Sequence, residues 1–473
     1  MSSTSHRRLW VLTVCCTGLL IVSLDATVLN IALPSIRKEL GTNVAGLQWT
    51  VDAYTVVLAS LLVLAGSTAD RIGRRRVLNT GLALFTFGSV LCSLAPALSW
   101  LVAFRMVQAV GGSMLSPVTM SIITNTFTAP RERARAIGVW SGANGISMAA
   151  GPVIGGLLVE TVGWRSIFWI NVPIGLTALL LTWRYVPESR AAKPRRPDPV
   201  GQLLVIALLG SVTYAIIEAP GSGAGTLLPL AAVAVAALTG LLVYEPRRDE
   251  PLIDLRFFRS APFSGATVIA ISAFAALTGF LFLNTIYLQN VRGLSPLQAG
   301  LYMLPMAVMT FAGAQLSGRL VAAYGPRPPL AAAGVSMAAC GLLFAAFDAG
   351  STTVLLFTGY ITFGLGFGLV NAPIANTVVS EMPVSQAGVA SAIASTSRQT
   401  GATLGVAVIG SVLAAGTHGV ITAGFTAAGR PAWWIIMGCG LCVLLVGLAT
   451  SGRWARRTAR RAAERLESTT ERV

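Results

Sequence analysis

The sequence predicts an all-α integral membrane protein with about fourteen transmembrane helices. Composition is the first reason: of the 473 residues, 54% are hydrophobic and 11% are charged, whereas soluble domains carry about 25% charged residues. The second is that apolar runs long enough to cross a bilayer core recur from Leu9 to Thr450. The third is an internal repeat. Together these observations predict two six-helix bundles plus two inserted helices.

Apolar runs bounded by charged or Pro/Gly-rich segments define the predicted spans. They lie near residues 9–33, 47–68, 78–97, 99–122, 133–159, 166–186, 200–218, 226–244, 262–288, 298–317, 329–347, 353–378, 388–415 and 432–450. We therefore expect an N-terminal six-helix bundle (1–190), two inserted helices with cytoplasmic linkers (191–260), a C-terminal six-helix bundle (261–452) and a basic cytoplasmic tail (453–473). Two interpretations of the tail stay open: a helix lying on anionic lipid, or a solvated segment.

The repeat relates the two predicted bundles. GSTADRIGRRR, beginning at Gly66, has a degenerate echo in GRLVAAYGPRP, beginning at Gly318, and Gly151 falls on Gly405. The first pair of echoes lies eight predicted spans apart instead of six, so two helices are inserted between the halves. The candidates are the spans at 200–218 and 226–244, whose scarcity of ionisable side chains predicts a lipid-facing spacer.

The distribution of charged residues predicts how the chain is oriented in a membrane. The net charge of +16 comes from arginine-rich segments between apolar spans, which the positive-inside rule and contact with anionic lipid explain better than nucleic acid does. The distribution predicts a multi-pass protein of the inner (plasma) membrane with both termini in the cytoplasm. The preference for arginine over lysine, together with abundant alanine and glycine, suggests a high-GC bacterial gene.

Four charged residues interrupt the predicted spans, at Asp25, Asp52, Arg105 and Arg398. A charge at mid-span costs about 2.5 to 3.5 kcal/mol on insertion scales, so each is a functional candidate. Asp25, Asp52 and Arg105 are expected to share one layer, where one acid can stay ionised while the other takes up a proton. The alternative is a static buried ion pair. Arg398 could meet an anionic substrate group or bond backbone carbonyls.

Several chemistries are not expected. All six cysteines lie in apolar runs, where they behave as small hydrophobic residues. The two histidines, His6 and His418, fall in a tail and a loop, so we expect neither a histidine proton relay nor a metal site. The sequence has no phosphate loop and no HExxH or GxSxG motif. We therefore predict no catalytic residues, no enzymatic activity and no ATP-driven pumping.

Glycine clusters in GANGISMAAGPVIGG, beginning at Gly142. Within it, glycines allow close helix approach and the proline allows a bend, so this segment could act as a gate. Ordinary small-residue packing is the alternative.

Four motifs in order resemble one family. They are LDATVLNIALP from Leu24, GSTADRIGRRR from Gly66, RMVQAVGGSMLSP from Arg105 and GPVIGG from Gly151. With them the chain resembles the major facilitator superfamily over nearly its whole length, and within it the fourteen-span drug:proton antiporters.

This resemblance implies roles for particular residues. Asp25 is implied as the proton-coupling acid and Arg105 as the residue that tunes proton release. A conformational latch is implied at Gly66, Asp70, Arg71, Gly73, Arg74 and Arg75. An antiporter gate is implied at Gly151, Pro152, Gly155 and Gly156. Candidates for the substrate cavity are Asn30, Gln108, Asn144, Asn284, Asn371 and Arg398.

The implied activity is export of small amphipathic drugs or antibiotics by alternating access, driven by the proton motive force without a cofactor and carried out by a monomer. A dedicated exporter or importer of one metabolite, siderophore or self-made antibiotic is the alternative. The second half departs from the motifs, because Ala322 replaces the latch acid and Val406 stands where Pro152 is expected. Latch and gate are therefore assigned to one half. Asp348 and Glu381 fall at span ends, which disfavours permanently dicationic substrates.

Overall fold

The computed structural model describes residues 3–191, 197–248, 250–346, 352–380, 387–417 and 421–470. His418, Asp348 and Glu381 lie outside these ranges. Within them every regular element is helical, which confirms the predicted all-α class.

The α-helices follow one another with short connections. They are α1 (Ser3–Leu40), α2 (Val44–Ile72), α3 (Arg74–Ser93), α4 (Leu98–Thr126), α5 (Pro130–Thr161), α6 (Ser166–Trp169), α7 (Asn171–Tyr185), α8 (Pro199–Glu218), α9 (Ala224–Tyr244), α10 (Ala261–Ile286), α11 (Pro296–Tyr302), α12 (Leu304–Tyr324), α13 (Arg327–Ala345), α14 (Thr353–Ser380), α15 (Ala387–Thr417), α16 (Ile421–Thr450) and α17 (Arg453–Thr470). Among the described residues, fourteen segments are long and apolar enough to cross a membrane, and this confirms the predicted number.

Helix ends differ from the apolar runs for physical reasons. Helix α1 extends past the predicted run 9–33 and carries Arg37 and Lys38 in its last turn, where long basic side chains can reach the interface. The sixth span divides into α6 and α7. Pro173, in the first turn of α7, has no amide hydrogen to continue the helix of α6.

One compact unit comprises Met1–Ile206 and Leu294–Leu301. In it α1 packs on α5, α2 on α4, and α3 on both α4 and α7. Its core is apolar and includes Tyr54, Leu58, Phe85 and Leu115. This unit holds all four of the sequence motifs.

The other unit comprises Ala207–Gly293 and Tyr302–Val473. Here α10 packs on α15, α12 on α14, and α13 on both α14 and α16. The order of pairing is that of the first unit, as duplicated six-helix sets require. An aromatic cluster fills its interior, with the Phe280 and Phe363 rings stacked at 4.1 Å and Phe344 stacked on Trp433 at 4.6 Å. The boundaries of these two units are set by which helices pack together, whereas the predicted domain limits came from the sequence repeat. The limits at 190, 260 and 452 therefore stay predictions.

The inserted helices differ from each other. Apolar side chains on α9 are largely exposed, with Leu228 68% and Val235 64% exposed, as a lipid-facing helix requires. Helix α8 is held by specific polar contacts. In the first unit Gln202 Nε2 donates to the Ser60 carbonyl at 2.6 Å, and in the second Ser411 Oγ donates to the Ile216 carbonyl at 2.6 Å. A lipid-facing spacer therefore describes α9 better than α8.

Candidate functional site

A buried ion pair joins α1 to α4 in the first unit. Arg105 Nη1 lies 2.5 Å from Asp25 Oδ2, and the two side chains are 1% and 2% exposed. Burying two charges is costly unless they are paired and their remaining donors and acceptors are bonded. Asp25 and Arg105 meet the first condition.

The second condition, that the remaining donors and acceptors are hydrogen-bonded, is met by amide and hydroxyl groups. Asp25 Oδ1 accepts hydrogen bonds from Gln108 Nε2 and from Asn171 Nδ2, each at 2.8 Å. Gln108 Oε1 accepts from Arg105 Nη1 at 2.7 Å, and Gln108 Nε2 also donates to Ser89 Oγ at 2.8 Å. Four helices therefore contribute to one hydrogen-bond network around the carboxylate of Asp25.

The rest of the Arg105 guanidinium contacts α2 and α6. Its Nε donates to the Thr50 carbonyl at 3.3 Å, and its Cζ lies 4.2 Å from the centroid of the Tyr54 ring. The Phe168 ring is 5.9 Å away. Aromatic faces attract a desolvated cation, so Arg105 stays well placed even if its bond to Asp25 changes.

Asp52 is buried apart from this network. Its side chain is 0% exposed, Oδ1 accepts a long hydrogen bond of 3.4 Å from Thr55 Oγ1, and Oδ2 has no partner among the described residues. Thr50 and Tyr54, one helical turn apart on α2, face Arg105, whereas Asp52 is rotated about 200° from Thr50. The structure thus brings Asp25 and Arg105 together and leaves Asp52 on another face of its helix.

At the end of α2, the implied latch is an ordered set of charge contacts. Arg74 donates to Asp70 Oδ1 from Nε at 3.0 Å and from Nη2 at 2.9 Å. The backbone amide of Arg74 donates to the Ser189 carbonyl at 2.9 Å, and the amide of Ala191 donates to the Asp70 carbonyl at 3.0 Å. The α2–α3 junction is therefore tied to the segment that follows α7.

Glu188 completes this set. Its Oε1 accepts from the backbone amide of Arg75 at 3.1 Å, and its Oε2 lies 3.7 Å from Arg76 Nε. A carboxylate at the first turn of α3 satisfies an amide that has no partner within the helix and complements the helix dipole. Arg75 Nη2 also donates to the Trp183 carbonyl at 2.6 Å. The exposed Arg71 forms no ion pair with a described acidic side chain.

Glycines of α5 allow close packing at the implied gate. A Cβ at Gly151 would collide with Thr27 on α1, and one at Gly155 would lie 3.0 Å from Val28 Cγ1. The matching Gly405 of α15 packs equally closely on Ala275 of α10. Close packing is therefore common to both halves, whereas the proline, Pro152, belongs to α5 alone.

The same end of α5 contacts the segment Leu294–Leu301. A Cβ at Gly156 would lie 2.5 Å from the Pro296 carbonyl oxygen. Glu160 Oε2 accepts from Ser295 Oγ at 2.6 Å and from the Leu297 amide at 3.1 Å. Glycine packing and a carboxylate thus hold this segment against the helix.

Comparison with known proteins assigns the family. The sequence profile of the Major Facilitator Superfamily matches residues 15–406. The chain belongs to this superfamily. It is therefore a multi-pass membrane transporter and not an enzyme.

Relatives and a solved structure agree with this assignment. The facilitator chain is 39% identical over 400 residues to the multidrug resistance protein Stp of Mycobacterium tuberculosis (strain CDC 1551 / Oshkosh), covering 84% of this chain and 74% of that protein. It is 36% identical to the tetracenomycin C resistance and export protein of Streptomyces glaucescens, with the same coverage. A bacterial homologue of the human lysosomal transporter Spinster shares the fold at a TM-score of 0.67 and 17% identity, over 98% of this chain and 99% of that one.

The remaining candidates for the substrate cavity are found in both units. In the first unit Ser23 Oγ hydrogen-bonds Asn144 Oδ1, and Asn30 Nδ2 donates to the Ala26 carbonyl at 2.9 Å. Gln108 belongs to the Asp25 network. All of their roles in substrate binding stay predictions.

In the second unit Asn284 is fully buried, donates to the Phe280 carbonyl and accepts from Tyr360 Oη, each at 2.9 Å. Asn371 and Arg398 are partly buried, and Arg398 has only a long contact of 3.5 Å with Ser395 Oγ among its described neighbours. Asn284 thus has a packing role in this conformation. For Asn371 and Arg398 the cavity assignment stays open.

Three residues of the site escaped the sequence interpretation. Asn171 is a polar residue inside the predicted span 166–186, and this position could have marked it as a candidate site residue. Glu188 lies just after that span. It is far in sequence from the arginines of the α2–α3 junction and approaches them only in the folded chain. Glu160 stands at the end of a span, where acids are common. Only contacts across the fold distinguish these residues from other polar residues.

Gly73 and Gly325 offer a matched pair for testing the latch. They hold equivalent positions in the repeat, and their φ values are +124° and +80°. A Cβ at Gly73 would lie 2.5 Å from Glu188 Oε1, whereas one at Gly325 meets nothing within 4 Å. Either alanine variant should lose about 1 to 3 kcal/mol to backbone strain. Because Gly73→Ala also displaces the partly exposed Glu188 carboxylate, we expect it to cost about 0.2 to 1 kcal/mol more than Gly325→Ala in detergent unfolding. Equal losses would show that Glu188 contributes nothing here.

Glu160 is expected to hold the segment Leu294–Leu301. In Glu160→Ala the Leu297 amide loses a bond to a charged acceptor, which contributes about 1.5 to 3 kcal/mol. We therefore expect faster hydrogen exchange in a peptide covering residues 295–302. The control is Glu132→Ala, at the other end of α5, where Glu132 pairs with Arg8. An unchanged rate in Glu160→Ala, or an equal change in the control, would contradict this role.

Proposed function

We propose that the chain is a proton-coupled antiporter that exports small amphipathic drugs or antibiotics by alternating access, with the proton motive force as its only energy source. The observation that carries this proposal is the buried Asp25–Arg105 pair with its network of amide donors. One relative is named a multidrug resistance protein and the other a tetracenomycin C resistance and export protein, and both names support a role in drug or antibiotic export. The setting proposed is a monomer in the plasma membrane of a high-GC bacterium, with both termini in the cytoplasm.

Protonation of Asp25 is the proposed coupling step. A proton on the carboxyl group cancels the charge that Arg105 neutralises, so the ion pair between α1 and α4 is lost. Arg105 keeps its contacts with Thr50 and Tyr54 on α2, so the change is confined to the α1 side of the network. Release of the proton restores the pair. The stability of the α1–α4 contact therefore follows the protonation state of one buried acid.

Asp52 is the second candidate acid. Holding a buried carboxylate ionised without a basic partner is costly, and among the described side chains Asp52 is hydrogen-bonded only by Thr55. A proton bound at Asp52 would not break an ion pair. We assign Asp25 the larger mechanical effect for this reason, and Asp52 an auxiliary part in proton uptake.

The driving force is sufficient for efflux. One charge moving across 100 mV supplies about 2.3 kcal/mol. A single proton at about 150 mV could therefore sustain a substrate gradient of a few hundredfold, since about 1.4 kcal/mol corresponds to a tenfold change.

The latch contacts are proposed to change with the conformational cycle. Asp70, Arg74 and Glu188 tie the α2–α3 junction to the segment after α7, and charge contacts at a water-exposed helix end can part at small cost. A second conformation that loses these contacts would differ from the present one by a few such bonds. The equilibrium could then respond to the charge on Asp25.

A dedicated exporter of one metabolite is the second candidate. It is favoured by a specific observation, because one of the relatives is named for a single compound, tetracenomycin C. The two candidates share the same coupling step and differ in substrate breadth.

The test uses the full chain reconstituted in vesicles that enclose a pH-sensitive dye and start acidic inside. Lipophilic cations and neutral polycyclic antibiotics are added separately, with protein-free vesicles as the control. Discharge of the gradient by several unrelated compounds would support multidrug antiport, and discharge by one compound class would support the dedicated exporter. If no added compound moves protons, proton-coupled drug antiport is wrong.

A further inference from the structure

Helix α17 is docked on the second unit. One face of it, at Ala455, Ala459 and Ala462, is buried. Thr458 Oγ1 accepts a hydrogen bond of 3.0 Å from the amide of Ala261, the first residue of α10. The helix also packs on the 3-10 turn Leu255–Arg259 that precedes α10. Of the two interpretations of the tail, the described part favours an ordered helix.

The opposite face of α17 is exposed and mainly basic, with Glu464 as its one described acidic side chain. Arg457, Arg460 and Arg461 are exposed and stand on the side away from the buried alanines, as a rotation of 100° per residue requires. Trp454, at the flank of this face, is 65% exposed. None of these arginines forms an ion pair with a described acidic side chain.

The neighbouring 3-10 turn also exposes an arginine and an aromatic ring. Arg259 and Phe258 are exposed, with the Phe258 side chain 37% accessible. Arg256 is neutralised by Asp254, whose two oxygens lie 2.8 to 3.2 Å from its guanidinium nitrogens. One arginine is thus paired while Arg259 is free to meet an external anion. We call the surface made by Phe258, Arg259, Trp454, Arg457, Arg460 and Arg461 the basic face.

The position of the basic face argues for lipid. Helix α17 begins three residues after the last membrane-spanning helix, α16, ends at Thr450, so the first residue of the face on this helix, Trp454, lies about one helical turn from the end of a span. Tryptophan is enriched at the membrane–water interface. Clustered arginines next to a span are attracted by anionic head groups. A soluble acidic protein would explain the arginines but not the exposed aromatic rings.

We propose that the basic face binds the head groups of anionic phospholipids. Lipid bound there would hold α17 against α10 through the Thr458 and Ala261 contact, so the start of α10 would be more ordered in an anionic membrane. The binding is electrostatic and weakens with salt.

The test is hydrogen exchange of the full chain in nanodiscs that contain one copy each, made with phosphatidylglycerol or with phosphatidylcholine. We expect slower exchange across residues 453–464 in phosphatidylglycerol, reversed by high salt. In Arg457→Gln/Arg461→Gln this difference should disappear. Lipid titration of the detergent-purified variant should show an affinity lower by roughly 30-fold, since each arginine near an anionic surface contributes about fivefold.

A matched control removes two other exposed arginines with the same spacing. Arg131→Gln/Arg135→Gln changes the first turns of α5 and should leave the exchange of residues 453–464 unchanged. Equal exchange of the wild-type chain in the two lipids would overturn the proposal. So would slower exchange that survives in the double variant, or that appears only when two copies share a nanodisc, which would assign the face to a second copy.

Discussion

Asp25→Asn is expected to abolish substrate-driven proton movement in reconstituted vesicles, reducing it to the protein-free background. Asparagine can keep hydrogen bonds to Gln108 and Asn171 but cannot carry the exchangeable proton or neutralise Arg105. The loss of proton movement should therefore persist when rates are compared at equal amounts of folded protein. The measurement is the initial rate of dye response on addition of a compound that discharges the gradient with the wild-type chain.

Two further variants test whether the loss comes from the missing acid and whether that acid is Asp25 or Asp52. Asp25→Glu keeps the acid and should retain part of the rate, whereas a general packing defect would reduce it as far as asparagine does. Asp52→Asn removes a buried acid without breaking an ion pair and should lower the rate less than Asp25→Asn. A wild-type response from Asp25→Asn, with none from Asp52→Asn, would transfer the coupling role to Asp52. All rates are compared at equal amounts of folded protein.

The second large effect is on stability, through Arg105. Removing one member of a buried ion pair leaves the other uncompensated, which costs about 3 to 5 kcal/mol. Arg105→Gln should therefore lower the free energy of unfolding in mixed micelles by an amount of this order. Asp25→Asn should do the same. In the double variant no charge is left unpaired, so we expect a total loss well below the sum of the two single losses.

Transport by the double variant distinguishes the two interpretations of the pair. A static ion pair that only holds α1 to α4 predicts that recovered stability brings recovered transport. A proton-coupling pair predicts recovered stability with transport still at background. Additive stability losses would show that Asp25 and Arg105 are not energetically coupled, in conflict with the 2.5 Å contact.

Much of the fold followed from local sequence. Span number depends on hydropathy in windows of about twenty residues, so fourteen spans could be counted without knowing any contact. The repeat was visible because Gly66 and Gly73 recur as Gly318 and Gly325. Helix ends are harder to predict from hydropathy, because α1 continues through the basic residues Arg37 and Lys38, which a hydropathy window excludes.

The functional residues divide in the same way. Asp25, Asp52 and Arg105 were found because a charge inside an apolar run is costly wherever its partner lies. The expectation that all three share one layer concerned depth along the helices and did not specify which face of α2 carries Asp52. On α2 the Thr50 carbonyl and the Tyr54 ring face Arg105, and Asp52, between them in sequence, points elsewhere. No window of sequence specifies which face of one helix meets another.

The sequence by itself thus determined that this is a polytopic helical membrane protein, which residues carry costly charges, and which half bears the motifs, because each depends on residue type and spacing along the chain. Only the tertiary structure decided that Asn171 and Gln108 bond the Asp25 carboxylate, that Glu188 caps α3, and that α17 is docked with its arginines outward. These contacts join residues far apart in sequence, and they are set by how the side chains of packed helices interlock.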